Sequence, residues 1–298
     1  MKITFNEELA GALHFERPIV ALESTVISHG LPHPRNLDTA MRLEQVIRDA
    51  GATPATIAVF DGEIYVGLTQ QQLEQLATDK SVRKLSRRDL AIAAARKLNG
   101  ATTVATTALI AHQAGINVFA TGGIGGVHRG YAADVSADLP ELARTPIIVV
   151  CSGAKAILDL GATREWLETN GIAVLGWKCD RMPAFYSASS EFEVDERVDT
   201  ALDVSHIADS RRELGLNSAL LVTVPVPAEY EIESAEVEAL IDAALSQAGA
   251  QGVAGKKLTP FLLNELSQKS GGKTLAANVA LLENNARVAA EIAGALNF

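Results

Sequence analysis

Short runs of β-branched and apolar residues alternate with alanine-rich stretches of helical periodicity, and this alternation restricts the fold of the chain more than any other feature. The predicted strands are Pro18–Leu22, Thr56–Phe60, Thr102–Thr106, Ile116–Ala120, Ile147–Cys151, Ala173–Gly176 and Ser218–Thr223. Helical patterns lie between several of them, at Asn36–Ala50, Arg88–Leu98 and Thr163–Asn170. Because strands that are separated by helices form a sheet covered on both faces, the alternation predicts an α/β protein with a central, largely buried sheet.

A tight turn indicates one antiparallel pair in this sheet. Asp61-Gly62 separates the run Thr56–Phe60 from the run Glu63–Val66. The dipeptide Asp-Gly is typical of the type I′ turn that joins the strands of a β-hairpin. We therefore expect a mixed, largely parallel sheet.

The last third of the chain is rich in helix signals. Ser234 and Thr259-Pro260 are start signals for the first two predicted helices, and Gly271-Gly272 separates the last two. The three predicted helices are Ser234–Ala248, Thr259–Lys269 and Lys273–Leu296. Because no linker, long repeat or block of like charge divides the sequence, we expect residues 1–298 to form one domain with its helical end packed against the sheet.

The charge balance and the cysteine content restrict partners and location. The chain has 26 basic and 36 acidic residues and a formal net charge of −10, so nucleic acid is not an expected partner. A local basic patch can still bind a small phosphate. Two cysteines, Cys151 and Cys179, make no disulfide framework and fit a reducing cytoplasm. The sequence has no signal-peptide or membrane-spanning run, so we expect a soluble cytoplasmic protein.

Three general motifs are incomplete in this chain. In Gly123–His128 a histidine stands where a dinucleotide fingerprint has its third glycine, although the loop follows a predicted strand and can approach a phosphate closely. The P-loop-like segment Ser270–Thr274 follows a helix instead of a strand and has Ser267 in place of the first glycine. The histidines and cysteines lack zinc-site spacing, whereas a hard-cation site of carboxylates and water stays open.

Glu23 directly follows an apolar strand in the segment "ALESTVISHGLPHPRN". Because ligands of α/β proteins collect at the carboxyl ends of strands, Glu23 can be a partly desolvated acid with a raised pKa that donates a proton. The alternative is that this carboxylate only caps the next turn.

Four cations stand within six residues of the segment "SVRKLSRRDL". A phosphate site beside a helix N-terminus is one interpretation of this cluster. The other is a solvated helix start with a capping box made by Ser86 and Asp89. The four cations are Arg83, Lys84, Arg87 and Arg88.

Asp134, Ser136 and Asp138 alternate after the glycine-rich loop. In an extended chain these three side chains face the same side, where their oxygens suit Mg²⁺ or Mn²⁺ bound partly through water. Alternatively, Ser136 or Asp138 caps a helix that opens at Leu139-Pro140.

Lys155 follows a predicted strand in the segment "VVCSGAKA", in which its neighbours are small. Small neighbours let a substrate approach, and desolvation or a nearby cation would lower the pKa of the lysine and make it a nucleophilic amine. The alternative is a surface lysine at a helix start, where repulsion by the helix N-terminus lowers the pKa as well.

Together these segments resemble the pseudouridine-5′-phosphate glycosidases, a family related to indigoidine synthase A-like proteins. The resemblance covers nearly the whole chain, in the order "ALESTVISHGLPHPRN", "KLSRRDL", "ATTVATTALIAHQAGINVFATGGIGGVHRG", "DVSADLPEL", "VVCSGAKAILDLGAT", "PAFYS" and "LTPFLLNELSQKSGGKTLAANVALLENNA". It implies an α/β/α fold, a homotrimer, and one divalent metal per subunit, usually Mn²⁺. It also implies reversible cleavage of pseudouridine 5′-phosphate to uracil and ribose 5-phosphate.

The same resemblance implies roles for single residues. Lys155 corresponds to the nucleophile of the family, Glu23 to the proton donor and Asp134 to the metal-bound aspartate. Asn278 resembles the residue that recognises the base. The remaining substrate contacts that the resemblance implies are Lys84, Val104, His128, Ser136, Ala137 and Asp138.

Two segments depart from the family pattern, and two other functions stay open. Val222–Pro227 replaces the common "ANPIP", and Ala188–Glu191 lacks a glycine often found after "PAFYS", so loop shape and selectivity can differ here. A dinucleotide-dependent oxidoreductase could use the glycine-rich loop, although His128 argues against it. The chain could also be a non-catalytic phosphosugar-binding or pigment-pathway accessory protein, although Lys155 and Glu23 are both present.

Overall fold

The computed structural model describes residues 2–130, 133–253 and 258–296 of the chain. Its strands are β1 (Ile3–Phe5), β2 (Ile19–Leu22), β3 (Thr53–Phe60), β4 (Glu63–Val66), β5 (Arg83–Leu85), β6 (Gly100–Thr102), β7 (Val118–Ala120), β8 (Val127–His128), β9 (Ile148–Cys151), β10 (Leu158–Asp159), β11 (Ala173–Trp177), β12 (Glu196–Val198) and β13 (Leu220–Thr223). Its helices are α1 (Glu7–His14), α2 (Arg35–Asp49), α3 (Gln70–Thr78), α4 (Leu90–Ala95), α5 (Val104–Gln113), α6 (Asp138–Leu142), α7 (Leu160–Thr169), α8 (Ala201–Glu213), α9 (Ser234–Ala250), α10 (Leu258–Lys269) and α11 (Lys273–Ala295).

Eleven of these strands form one mixed sheet, as the sequence predicts. Its main path runs β1-β4-β3-β2-β7-β9-β13-β11-β12, while β6 pairs with β3 and β5. The six strands from β2 to β12 on this path are parallel to one another. The antiparallel pairs are β3 with β4 and β3 with β6. The α/β fold class with a largely parallel sheet is therefore confirmed.

The predicted hairpin is present between β3 and β4. Asp61 and Gly62 have φ values of +47° and +77°, and two positive φ values in succession define the type I′ turn that the Asp-Gly dipeptide predicted.

Helices cover the sheet on both sides, so its central strands are buried on both faces. Helix α11 packs on β2, β7 and β9 beside α2 and α8, while α5 packs on β2, β3 and β7. Every residue of β2, β9 and β13 is buried. This double coverage explains why these strands read as continuous apolar runs instead of alternating ones. None of the described helices is long and apolar enough to cross a bilayer.

The predicted strand Thr102–Thr106 is wrong in its second half. Strand β6 ends at Thr102, and α5 begins at Val104 with Thr103 as its N-cap. The side chain of Thr103 accepts a hydrogen bond from the backbone N–H of Thr106, which is the local bond that makes threonine favourable at a helix start. A β-branched run was therefore interpreted as strand where threonine begins a helix.

One helix of the last third begins at its predicted residue, and an earlier helix is shorter than predicted. Ser234 is the first residue of α9, and its N-cap is Glu233, which makes no side-chain capping bond. The predicted helix Arg88–Leu98 is shorter, because Arg87–Asp89 is a 3₁₀ turn and α4 ends at Ala95. After the end of α4, the N–H of Leu98 donates a hydrogen bond to the carbonyl of Ala93.

Candidate active site

A cleft with two lobes lies at the carboxyl end of the parallel strands, where ligands of α/β proteins bind. The large lobe has a volume of about 340 Å³ and the small lobe about 60 Å³. Both lobes are lined by Glu23, Thr25, Lys84 and Lys155, so these four residues mark the boundary between them. A larger groove of about 660 Å³ between α2 and α11 contains none of the predicted site residues.

All ten site residues that the sequence implied line this cleft, although their roles stay predictions. Besides the shared Glu23, Lys84 and Lys155, the large lobe is lined by Val104, His128, Asp134, Ser136, Ala137 and Asp138. Asn278, on α11, lines the small lobe. The segments Ala188–Glu191 and Val222–Pro227, which depart from the family pattern, contribute no residue to either lobe.

Glu23 is held between two neighbouring strand ends. It follows β2, is only 8% exposed, and its Oε1 accepts a hydrogen bond of 2.6 Å from the hydroxyl of Thr121, which follows β7. Its Oε2 accepts a hydrogen bond from the hydroxyl of Thr25. Among the described residues both oxygens therefore bind hydroxyls and not the backbone N–H groups that a capping role requires. A buried carboxyl in a fixed orientation beside a cavity is suited to move a proton.

Lys155 lies in a tight turn after β9. Its backbone N–H donates to the carbonyl of Ile124 over 3.0 Å, and its own carbonyl accepts from the N–H of Leu158 over 3.0 Å. Gly153 has a φ of +83°, and a Cβ at this position would lie 2.3 Å from the carbonyl oxygen of Pro183. Only glycine therefore fits two residues before the lysine.

The interpretation of Lys155 as a residue at a helix start is wrong. The turn leads into β10, and α7 begins only at Leu160. The turn closes on hydrogen bonds to Ile124 and Leu158 instead of entering a helix, so Lys155 does not begin a helix.

The nearby Cys151 does not compete as a nucleophile. Its side chain is fully buried at the end of β9. Burial raises the pKa of the Cys151 thiol to about 12, so the reactive thiolate is absent near neutral pH.

The glycine-rich loop brings two chain segments into contact with the cleft. The N–H of Gly125 donates to Oδ2 of Asp138 over 2.8 Å, and a Cβ on Gly125 would lie 2.1 Å from the hydroxyl oxygen of Ser136. Oδ1 of Asp138 accepts from the N–H of Ala105 in the first turn of α5 over 2.9 Å. Asp138 therefore connects α5 to the glycine-rich loop. In this loop Gly125 allows the backbone to pack closely against Ser136 and Asp138.

Asp134, Ser136 and Asp138 line the same lobe, but so do Val135 and Ala137, and the chain is already helical at Ala137. The expectation of an extended segment with alternating side chains is therefore wrong. Asp134 is exposed, whereas Asp138 is buried and bonded to two N–H groups. The alternative was that Ser136 or Asp138 caps the next helix. Helix α6 begins at Asp138, and its N-cap residue, Ala137, makes no side-chain capping bond. The hydroxyl of Ser136 does accept a hydrogen bond from the N–H of Asp138, the first residue of α6.

The basic cluster is divided between structure and cleft. Arg87 binds both oxygens of the fully buried Glu141, at 2.8 and 3.0 Å. Lys84 and Arg88 line the large lobe together with Ser86. The capping box of Ser86 and Asp89 is also present. The capping box is therefore confirmed, while the phosphate site stays a prediction.

Sequence reasoning missed three residues of the cleft that surround Glu23 and the small lobe. Thr25 and His29 follow Glu23 in the same segment, and a search for polar residues close after the strand end would have found them. The same search would have found Thr121, which follows the predicted strand Ile116–Ala120, but its contact with Glu23 depends on the pairing of β2 with β7.

His29 lies in a short π-helical segment, Val26–Gly30, and lines the small lobe. Burial lowers the pKa of His29 and the nearby Lys84 lowers it further, while a hydrogen bond with the backbone of Val82 opposes both. Its Nε2 is buried and, among the described residues, has no hydrogen-bond partner. The neutral imidazole is therefore the form that the fold favours.

This lowered pKa predicts a loss of stability in mild acid. The unfolded chain binds a proton at His29 near the ordinary pKa of 6.5, whereas the folded chain resists it, so stability falls as the pH drops below about 6.5 toward the lowered folded value. We expect the melting temperature of His29→Asn to fall less between pH 7 and pH 5 than that of the wild type. Thermal unfolding at both pH values measures the difference, and an equal fall in the two proteins would contradict it.

The chain is similar to known proteins over nearly its whole length. Residues 8–295 match the family described as "Indigoidine synthase A like protein". The pseudouridine-5′-phosphate glycosidase of Geobacillus kaustophilus is 52% identical over 297 residues, which cover 99% of each chain. The enzyme of the same name from Staphylococcus aureus is 48% identical, over 99% of this chain and 97% of its own.

Two solved structures have nearly the same fold. The prealnumycin C-glycosynthase AlnA, in complex with ribulose 5-phosphate, has a TM-score of 0.91 and 39% identity, and covers 99% of this chain and 96% of its own. An indigoidine synthase A-like protein from Thermotoga maritima has a TM-score of 0.90 and 37% identity, with 98% and 95% covered.

Proposed function

The chain belongs to the indigoidine synthase A-like family, and we propose that it is a pseudouridine-5′-phosphate glycosidase. This enzyme reversibly cleaves the carbon–carbon bond between ribose and base, giving uracil and ribose 5-phosphate from pseudouridine 5′-phosphate and water. The observation that carries the proposal is the position of an amine, Lys155, and a carboxyl, Glu23, at the boundary of two unequal lobes. The bond between the two halves of the substrate would lie at that boundary.

The lining of each lobe supports this orientation of the substrate. The large lobe has the cations Lys84 and Arg88 together with several oxygens, which suit a phosphorylated sugar. Half of the residues that line the small lobe are glycines or the apolar Val26, Phe185, Leu263 and Leu282. Asn278 adds an amide that can donate to and accept from a uracil edge.

The reaction requires a nucleophile because no heteroatom leaves. The neutral amine of Lys155 attacks C1′, the C1′–O4′ bond breaks, O4′ takes a proton and the nitrogen loses one. Glu23 then protonates C5 of the base. The C1′–C5 bond breaks, its electron pair restores the uracil ring, and the nitrogen lone pair forms an iminium at C1′. Water hydrolyses the iminium, which frees ribose 5-phosphate and regenerates Lys155.

Asp134 would hold the divalent cation that the family resemblance implies. No group of three or more His, Cys, Asp or Glu that could enclose a metal occurs among the described residues. Small hard cations nevertheless bind proteins through one or two carboxylates and complete their coordination with water and substrate phosphate. The exposed carboxylate of Asp134 in a polar lobe fits such a site, with one ion per subunit. When bound, a Mn²⁺ ion would supply positive charge that orients the phosphorylated sugar.

Removal of the metal should therefore weaken substrate binding and turnover. We expect chelation with EDTA to lower kcat/KM for pseudouridine 5′-phosphate by roughly tenfold or more, and added Mn²⁺ to restore it. Asp134→Asn should require a higher Mn²⁺ concentration for half-maximal activity. Full activity of the metal-free wild type would remove Asp134 from this role.

The decisive test of the function is a mass-spectrometric assay of the purified protein with pseudouridine 5′-phosphate and Mn²⁺. Uracil and ribose 5-phosphate should appear in equal amounts. A well-folded, metal-loaded protein that forms neither product would favour the alternative of a non-catalytic phosphosugar-binding or pathway-accessory protein.

The resemblance supports three broader expectations that belong to the same proposal. We expect residues 1–298 to act as a single domain, the protein to form a homotrimer and the reaction to take place in the cytoplasm. Light scattering coupled to gel filtration measures the mass of the assembly, and a monomer at all concentrations would contradict the trimer.

A further inference from the structure

The side chain of Arg129 contacts the turn that carries Lys155. Its Nη2 donates to the carbonyl of Ala156 over 3.1 Å, and its Nε donates to the carbonyl of Leu158 over 3.2 Å. Since the N–H of Leu158 also donates to the carbonyl of Lys155, three carbonyls of this four-residue turn accept hydrogen bonds. Two of the three bonds come from one guanidinium group.

Arg129 is itself anchored on a separate helix. Its two terminal nitrogens bind both carboxylate oxygens of Glu238, on α9, at 2.6 and 2.9 Å. The hydrogen bond to Glu238 raises the pKa of Arg129, and the charges of Asp242 and Asp159 add to the effect. Bidentate bonds between guanidinium and carboxylate have a fixed planar geometry. The guanidinium therefore holds the turn in a position set by α9.

Arg129 does not line the substrate cleft, although its neighbour in the sequence, His128, does. His128 lines the large lobe, whereas Arg129 lines a small cavity of about 60 Å³ that Lys155 and Glu238 also line. Lys155 thus has substrate space on one side and a void on the other. The pairing of Leu158 with His128 holds the end of the turn, and the bonds from Arg129 add a restraint on the cavity side, where packing is missing.

We propose that Arg129 is a positioning residue that holds the amine of Lys155 in line with C1′ of the substrate. This inference rests on the proposed nucleophilic role of Lys155. Arg129 itself touches no reacting atom in this assignment. The competing explanation is an ordinary partly exposed ion pair, which would contribute little to stability and nothing to the rate.

The two explanations predict different kinetics. In Arg129→Ala we expect kcat to fall roughly 10- to 100-fold, since small misplacements of a reacting group have effects of this size. KM should change by less than about threefold, because the lobes keep their lining. Arg129→Lys, which can still donate to a carbonyl, should recover part of the lost rate. Arg197→Ala is the matched control, because Arg197 also binds two carboxylates, Asp180 and Asp199, on the exposed surface.

Two further measurements separate positioning from general destabilisation. Borohydride trapping of ribose 5-phosphate on Lys155 should be slower in Arg129→Ala and normal in Arg197→Ala. Amide hydrogen exchange of residues 155–158 should be faster in Arg129→Ala only. A kcat within twofold of the wild type in folded Arg129→Ala, or a loss confined to melting temperature, would overturn the inference.

Failure of the proposed function would be recognised independently. In that case the wild type itself would neither cleave pseudouridine 5′-phosphate nor trap ribose 5-phosphate. Hydrogen exchange still tests the restraint on the turn without any substrate: faster exchange in Arg129→Ala supports the restraint, and unchanged exchange rejects it.

Discussion

Lys155→Ala is expected to abolish cleavage of pseudouridine 5′-phosphate, lowering kcat on the order of 10⁴-fold or more, as loss of a catalytic nucleophile does in other enzymes. The reason is that, of the four residues at the boundary of the lobes, Lys155 is the one that has an amine and also follows β9. The side chain is only half-buried, so its truncation should leave the fold intact. Steady-state kinetics and circular dichroism of the variant measure the two expectations.

Lys84 provides the necessary control for this prediction, because it is the second lysine that lines both lobes. If Lys84 binds the anionic part of the substrate, Lys84→Ala should raise KM and still form the borohydride-trapped adduct. Peptide mapping should locate that adduct on Lys155 in the wild type. An adduct on Lys84, or a fully active Lys155→Ala, would contradict the assignment. Lys155→Arg, which keeps the charge without a nucleophilic amine, should be as inactive as the alanine variant.

Glu23→Gln is expected to lower kcat roughly 10²- to 10⁴-fold, the range typical of losing a positioned general acid. The amide has the shape of the carboxyl group and can still bond to the hydroxyls of Thr25 and Thr121, so we expect the fold to be kept. It has no proton to give to C5 of the base. Rapid quench with detection of uracil measures the lost step. In deuterium oxide the wild type should place deuterium at C5 of the uracil it forms.

The two variants should differ in one reaction that needs the amine but not the acid. Glu23→Gln should still form an imine between Lys155 and ribose 5-phosphate, which borohydride traps, whereas Lys155→Ala should not. If Glu23→Gln cleaved the substrate at the wild-type rate, Glu23 would have a structural role only. Thr121→Val, which removes the hydroxyl that binds Oε1 of Glu23, should have a smaller effect, of roughly tenfold.

The position of Glu23 explains why its partner could not be found from the sequence. Thr121 is 98 positions away along the chain, yet its strand, β7, pairs directly with β2. Strand β9, which precedes Lys155, pairs with β7 on the other side. Three strand ends that are distant in sequence are therefore neighbours at one edge of the sheet.

The sequence by itself determined the fold class, the hairpin at Asp61-Gly62 and ten of the residues that line the cleft. These features depend on local periodicity, on turn chemistry and on short segments that resemble a known family. The strand Thr102–Thr106 was misjudged because β-branched residues favour strands on average, while the threonine cap that begins α5 acts through one specific bond.

Only the tertiary structure decided how the cleft residues are held. Arg87 and Arg88 are adjacent in a basic run, yet Arg87 binds the buried Glu141 while Arg88 lines the large lobe. Similarly, the bonds from Arg129 to the turn of Lys155 depend on the antiparallel pairing of β8 with β10. Such assignments follow from the order of strands in the sheet. A local pattern contains no information about that order, because the pairing of distant segments is settled by the packing of the whole chain.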